Sequence, residues 1–187
     1  FMYREGEQEY ETLREYVKEE ERKENESEVQ APTPANKTTV DFQALKKINS
    51  DIIAWIRIPD TKIDYPVVQG KDNAYYLKHT FQKTEHAAGS IFLDSRCDRT
   101  FWGAYQLVYG HHMEKHRMFG DLDRYLEEDF VEEHITGTLM VPGKTYPLMF
   151  LAVMKVDAAD SCIFEPQDCG PDSDVFRQTV LTKGQYV

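Results

Sequence analysis

Between residues 52 and 156 the sequence breaks into short apolar runs, at 52–58, 63–68, 90–93, 105–109, 137–141 and 146–156, separated by Pro59-Asp60, Gly70, Gly89 and Gly110. Runs of that length, rich in Ile, Val and aromatic residues and closed by Pro or Gly, read as strands. Pro142-Gly143 supplies the two central residues of a type II turn, so the spacing predicts an antiparallel hairpin over 137–156. Helical periodicity returns only in short pieces, around 73–78, over 119–130 and over 174–181, with one more short helix capped by Asp41 and carrying Phe42, Leu45 and Ile48. Strand and helix do not alternate regularly. A doubly wound parallel sheet is therefore not expected, and a mostly β fold with short helices, an antiparallel sheet or barrel, is favoured.

Residues 1–40 differ in composition from the rest of the chain. They hold eleven Glu, no Asp and six Lys or Arg. Tyr3, Tyr10, Leu13 and Val17 share one helical face, which predicts an N-terminal amphipathic helix. That apolar stripe fades from Glu19 to Glu28, and Ala31-Pro32-Thr33-Pro34-Ala35-Asn36 reads as a stiff, extended linker. The segment is expected to serve as a charged stalk; a helix docked on the body through its Tyr and Leu face is the competing reading.

The net charge of -11 comes from 33 Asp and Glu against 22 Lys and Arg. That balance repels phosphate backbones, so no nucleic-acid partner is expected. No stretch reaches the roughly 18 to 20 continuous apolar residues of a membrane helix, and no signal-peptide core stands near Phe1. The chain opens at Phe1-Met2 and stops at Gln185-Tyr186-Val187, two residues into what reads as a new apolar run, so both ends read as cut.

Candidate chemistry concentrates at Leu107-Val108-Tyr109-Gly110-His111-His112-Met113. A β-branched strand ending in Gly and then His places an imidazole at a strand end, where it can move protons near neutral pH. A metal reading competes, because His111, His112 and His116 are close together. The four-residue spacing of His112 and His116 suits zinc on a helix, yet this segment leaves a strand and lacks a His-Glu-x-x-His pattern. Cys97 and Cys162 lie among acidic loop residues that raise a thiol pKa, so neither reads as a nucleophile. Three cysteines are too few for a disulfide scaffold, although Cys162 and Cys169 are close enough in sequence to bridge a loop. Neither a phosphate-cradling loop nor a dinucleotide loop is present, and no cofactor is expected.

Several strings resemble the class B sortases. They run from Asn49-Ser50-Asp51-Ile52-Ile53-Ala54-Trp55-Ile56-Arg57-Ile58-Pro59-Asp60 through Thr61-Lys62-Ile63-Asp64-Tyr65-Pro66-Val67-Val68-Gln69-Gly70 to Asp72-Asn73-Ala74-Tyr75-Tyr76-Leu77. Gly89-Ser90-Ile91-Phe92-Leu93-Asp94, Tyr109-Gly110-His111-His112-Met113 and Met118-Phe119-Gly120-Asp121-Leu122 come next in the family's order, so the resemblance covers roughly residues 41–156.

The resemblance implies a sortase-type closed β-barrel and a cysteine transpeptidase. Such an enzyme sits on the extracellular face of a Gram-positive cell membrane, held by an N-terminal anchor that is not in this chain. It cleaves a sorting signal of LPxTG or NPxT(G/N) type after Thr. It then passes the acyl group from a thioester to an amine of the cell wall or to a pilin lysine during pilus assembly. His111 matches the catalytic His, and His112 occupies an accessory position. Asn73 and Leu77 match positions that line the signal-peptide groove, although a helix cap and a core leucine would explain the same pair.

The family's Thr-Leu-x-Thr-Cys strand and the Arg that follows it have no match here. Both are expected beyond Val187, which makes residues 1–40 a helix, stalk and linker and residues 41–187 a catalytic domain that is incomplete at its C-terminus. These 187 residues alone are accordingly expected to be inactive. A non-catalytic surface module that binds sorting signals is the alternative from another class, and a metal-dependent hydrolase built on the His cluster is the third reading.

Overall fold

A computed structural model describes residues 2–21, 36–157, 159, 161–166, 170 and 172–185. It begins with α1 (Met2–Leu13), turns through a 3-10 helix at Arg14–Tyr16 into β1 (Val17–Glu21), and continues in β2 (Asn36–Val40). The two strands pair antiparallel, with Val17 opposite Val40 and Glu21 opposite Asn36. Val17 thus opens a strand instead of extending the helical face. The Glu-rich stretch after it has little β propensity of its own, and its ladder partner β2 overrides that preference.

Tyr10 and Leu13 are buried. The Tyr10 hydroxyl donates to the Gly89 carbonyl at 2.8 Å, and its ring meets Tyr65 edge-on at 5.2 Å. The end of α1 therefore lies against the body through its Tyr and Leu face, the arrangement that competes with a free stalk. The Tyr3 side chain and linker residues 31–35 lie outside the described residues.

Next comes α2 (Phe42–Ile48), where the Asp41 carboxylate accepts from the Ala44 amide at 2.9 Å, as its place before an apolar pattern predicts. Phe42 and Leu45 are buried, while Ile48 is 40% exposed and Asn49 ends the helix. The Asn49 amide donates to the Tyr76 hydroxyl and the Phe81 carbonyl, and the Tyr76 hydroxyl donates to Asp51 at 2.7 Å. This buried polar set fixes residues 75–81 against the start of the sheet.

The sheet comprises β3 (Ile52–Arg57), β4 (Asp64–Val68), β5 (Ile91–Leu93), β6 (Val108–Tyr109), β9 (Thr136–Val141) and β10 (Lys144–Met149). A small hairpin, β7 (His112–Met113) and β8 (Arg117–Met118), stands apart from it. The order is β10-β9-β3-β4-β5-β6, and every pairing is antiparallel except β4 with β5. β3 is central and buried over five consecutive residues, so both of its faces are covered. Trp55, Val67, Ile91, Leu93, Tyr76, Phe81 and Tyr125 are fully buried around it. The curled sheet forms a half-barrel. Its edges are β10 and β6, and no strand among the described residues joins them.

Pro142-Gly143 closes the β9–β10 hairpin, with Val141 opposite Lys144. β10 ends at Met149, short of the predicted run to Val156; the Phe150 amide still donates to the Ile135 carbonyl at 2.8 Å, and Val153 forms an isolated antiparallel bridge with Gln185. β6 is also shorter than predicted: the Leu107 amide donates to the Cys97 sulfur and the Tyr105 hydroxyl to the Ile163 carbonyl. Residues 119–126 form a 3-10 helix, followed by α3 (Glu128–Glu133). Then come α4 (Ser161–Phe164) and α5 (Asp174–Lys183), the latter capped by the Ser173 hydroxyl, which accepts from the Phe176 amide.

Candidate active site

His111 follows β6 through Gly110, and that glycine is sterically required. A Cβ there would lie 2.4 Å from Ile91 Cδ1 and 2.7 Å from Phe119 Cδ2, so a side chain would push the strand end off the core. The His111 ring Nε2 lies 2.7 Å from the Leu77 carbonyl oxygen. A carbonyl can only accept, so Nε2 carries the proton, and in the neutral ring Nδ1 holds the free lone pair. One nitrogen is oriented by the backbone while the other stays available for proton transfer.

Leu77 ends the 3-10 turn Tyr75–Leu77. Its side chain is 40% exposed, so it is a surface leucine and not a core one. Asn73 does not cap that turn. Asp72 does, its carboxylate accepting from the Ala74 and Tyr75 amides at 2.8 and 2.9 Å. The Asn73 amide instead donates to Asp94 at 2.8 Å and its oxygen accepts from the Ser95 amide at 2.8 Å. The fold thus brings His111 and Leu77 into direct contact and ties Asn73 to the end of β5.

Sequence reasoning gives Asp94 no role, although it closes the apolar run Ile91-Phe92-Leu93 and ends one of the strings that resemble the family. Its side chain is fully buried. It accepts from Asn73, from the Arg96 amide at 2.8 Å, from Arg96 Nε at 3.0 Å and Nη2 at 2.8 Å, and from the Tyr109 hydroxyl at 3.1 Å. Burial pushes this carboxyl upward, but the Arg96 guanidinium and the other donors outweigh it and hold the pKa at about 2. Tyr109 shows the reverse effect: burial first and the Asp94 charge second push its phenol up to about 12. Arg96 also reaches Glu165 at 2.5 Å and the Phe164 carbonyl at 2.9 Å, linking β5 to the segment after β10.

The other imidazoles diverge from His111. His112 pairs with Asp123 at 2.7 Å, and His116 pairs with Asp121 at 3.0 Å. The segment between them is a hairpin, with Met118 back opposite His112, so the four-residue spacing does not put both rings on one helical face. Among the described residues no group of three His, Cys, Asp or Glu could hold a metal ion. Cys97 is a free, half-buried thiol whose sulfur accepts from the Leu107 amide at 3.4 Å. Burial raises its pKa, and the Asp94 charge adds to the rise. The side chain of Cys162 and all of Cys169 lie outside the described residues.

A cavity of about 690 Å3 lies elsewhere, between α1, the turn after β3 and the β7–β8 hairpin; Tyr10, Arg14, Arg57, Asp64 and Met118 are among its walls. His111, Asn73 and Leu77 are not part of its lining. The strand-end imidazole of His111 is half-buried and lies outside that cavity.

No family model matches the chain. It is 40% identical over 113 residues to Sortase B of Listeria monocytogenes, an alignment covering 60% of this chain and 46% of that one. The chain spans about half the length of the curated relatives it matches. Among solved structures it is similar to a Streptococcus pyogenes class B sortase involved in pilus biogenesis, with a TM-score of 0.72, 33% identity, and coverage of 79% of this chain and 81% of that one. A Staphylococcus aureus sortase B-substrate complex matches with a TM-score of 0.65 and 33% identity, over 75% of this chain and 63% of that one.

Proposed function

Because the chain belongs to the class B sortases, we propose that it forms the His-bearing part of a cysteine transpeptidase that cuts a sorting signal of LPxTG or NPxT(G/N) type after Thr. The observation that carries this reading is the contact of His111 Nε2 with the Leu77 carbonyl, which holds a proton-transferring ring beside the segment matched to the family's peptide groove. In the proposed reaction His111 Nδ1 takes the proton of a cysteine thiol, and the thiolate attacks the Thr carbonyl carbon. The C–N bond then breaks, and His111 gives the leaving amine its proton. An amine of the cell wall or a pilin lysine next attacks the thioester and loses a proton to the same ring, the C–S bond breaks, and the departing thiolate takes that proton back.

Asn73 and Leu77 are the proposed peptide contacts. Leu77 offers exposed apolar surface, whereas the Asn73 amide is held by Asp94 and Ser95, so its part is to shape the groove wall. Cys97 is not the proposed nucleophile, because burial and the neighbouring Asp94 both disfavour its thiolate. The thiol and the oxyanion-stabilising Arg come from outside these 187 residues, which alone do not form a thioester. Residues 41–187 are the catalytic unit in this proposal. Residues 1–40 lead to a membrane anchor that displays it on the extracellular face of the membrane; among the described residues no helix is long and apolar enough to cross a membrane.

The test compares the 187-residue protein with a version extended by a Thr-Leu-x-Thr-Cys strand and an Arg-containing strand, each incubated with signal peptides and an amine. Mass spectrometry should show an acyl-enzyme and an amine adduct only for the extended protein, and His111→Ala should abolish both. Thioester capture by the 187-residue protein, or full activity of the extended His111→Ala variant, would overturn the proposal. Tight peptide binding with no cleavage by the extended protein would favour the non-catalytic module.

A further inference from the structure

We propose that Asp94 is a positioning residue for the His111 imidazole. The Leu77 carbonyl and His111 lie 34 residues apart in sequence, on separate elements, and a single hydrogen bond joins them directly. Such a contact at a half-exposed surface does not hold two segments in register by itself, since its net worth is about 1 kcal/mol. Both segments are instead fastened to one buried carboxylate. Asp94 Oδ2 accepts from the Asn73 amide, four residues before Leu77, and from the Tyr109 hydroxyl, two residues before His111. The backbone of Asp94 reinforces the link: its amide donates to the Leu107 carbonyl at 2.8 Å, and its carbonyl accepts from Gln69 Nε2 at 2.9 Å.

The chemistry calls for a carboxylate at this position. Five donor contacts converge on the two Asp94 oxygens, three of them from Arg96, and a carboxylate supplies lone pairs for all of them. An Asn would turn an NH2 toward at least one of those donors. The Arg96 charge compensates the buried anion, so Asp94 acts by holding geometry and not by exchanging protons. Because the His111 tautomer is set by the Leu77 carbonyl, any slip between the segments shows at the ring.

This inference rests on the reading of His111 as the proton-transferring group, yet its test needs no nucleophile and no peptide. Histidine side-chain 15N spectra of the full 187-residue protein should show neutral His111 as a dominant Nε2–H form. In Asp94→Asn that form should give way to a tautomer mixture, with Nε2–H exchange with water at least tenfold faster. Tyr109→Phe, which removes one phenol from the same oxygen, should speed exchange about threefold. The His134 ring, whose Nδ1 contacts the Phe130 carbonyl at 2.8 Å, should be unchanged and reports that the fold is intact. Asp94→Glu should not restore the wild-type signature, because the longer arm displaces both bonds.

A wild-type His111 without a dominant Nε2–H form overturns the inference, as does an unchanged His111 signature in folded Asp94→Asn. If Asp94→Asn does not fold, Tyr109→Phe decides: an unchanged His111 signature in that variant overturns the inference as well. If the His111 frame holds while the extended protein never forms an acyl-enzyme, only the transpeptidase reading is lost.

Discussion

His111 donates its Nε2 proton to the carbonyl oxygen of Leu77 across 2.7 Å, leaving Nδ1 as the ring's basic nitrogen. The ring is half-buried and contributes one surface hydrogen bond, so its removal should cost little stability. In the proposed reaction, however, it moves every proton. His111→Ala in the strand-extended protein should lower acyl transfer by about 100-fold to 10,000-fold while changing unfolding free energy by less than about 1 kcal/mol. Peptide cleavage and urea denaturation on the same preparation check both numbers. A variant that loses activity by unfolding would assign the residue a structural role.

Gly89 leaves no room for a side chain beside that carbonyl. Its φ is 55°, and a Cβ there would stand 2.5 Å from the Tyr76 oxygen and 2.8 Å from the Leu77 oxygen. Both neighbours are backbone atoms that cannot rotate away, and Ser90, the next residue, donates its amide to the Tyr76 carbonyl at 2.9 Å. Gly89→Ala should therefore cost about 2 to 4 kcal/mol, from left-handed strain plus displaced backbone. It should also perturb the His111 ring resonances. Stability within about 0.5 kcal/mol of wild type would show that the loop relaxes freely.

Much of this architecture is legible where a local rule suffices. Pro142-Gly143 announces the β9–β10 hairpin, Asp41 announces the start of α2, and a strand ending in Gly110-His111 announces an imidazole at a strand end. The hidden remainder depends on partners far along the chain. β1 is a strand because β2 and Arg57 meet its glutamates, the latter pairing with Glu19 at 2.5 Å. Asn73 fits both a groove position and a helix cap in the sequence, and only the fold shows that Asp72 caps the turn while Asn73 turns inward to Asp94. Asp94 itself collects donors from residues 21 positions before it and 15 after it, a convergence that no window of sequence displays.

The two tryptophans should behave oppositely. Trp55 is fully buried in β3 and its Nε1–H donates to Asp64 at 2.7 Å, whereas Trp102 is 79% exposed. Trp102→Phe should leave a blue-shifted emission that resists acrylamide quenching and should change stability by less than about 0.5 kcal/mol. Trp55→Phe removes a buried donor and leaves a gap, and should cost about 1 to 3 kcal/mol in urea without altering the slope of the transition. The remaining emission should then be red-shifted. Equal quenching of the two variants would contradict the burial of Trp55.

Acid should weaken the protein through the same carboxylate that frames the site. The folded pKa of Asp94, about 2, lies below the ordinary carboxyl value of 3.8. A group depressed in this way stabilises the fold at pH values above the unfolded pKa, and that contribution is lost as pH falls through about 4 toward 2. Since the side chain is fully buried, the contribution is roughly 2 kcal/mol at neutral pH. Asp51 is shifted in the same direction: burial opposes the shift, but the Lys83 ammonium 2.9 Å away and the Tyr76 hydroxyl outweigh it. Both groups therefore steepen the loss of stability in acid. Urea midpoints at pH 7, 4 and 2.5 should fall more steeply for wild type than for Asp94→Asn, so the gap between the two proteins narrows as pH drops. A gap that stays constant over that range would mean that Asp94 titrates alike in the folded and unfolded chain, and that the Arg96 cluster contributes packing without charge stabilisation.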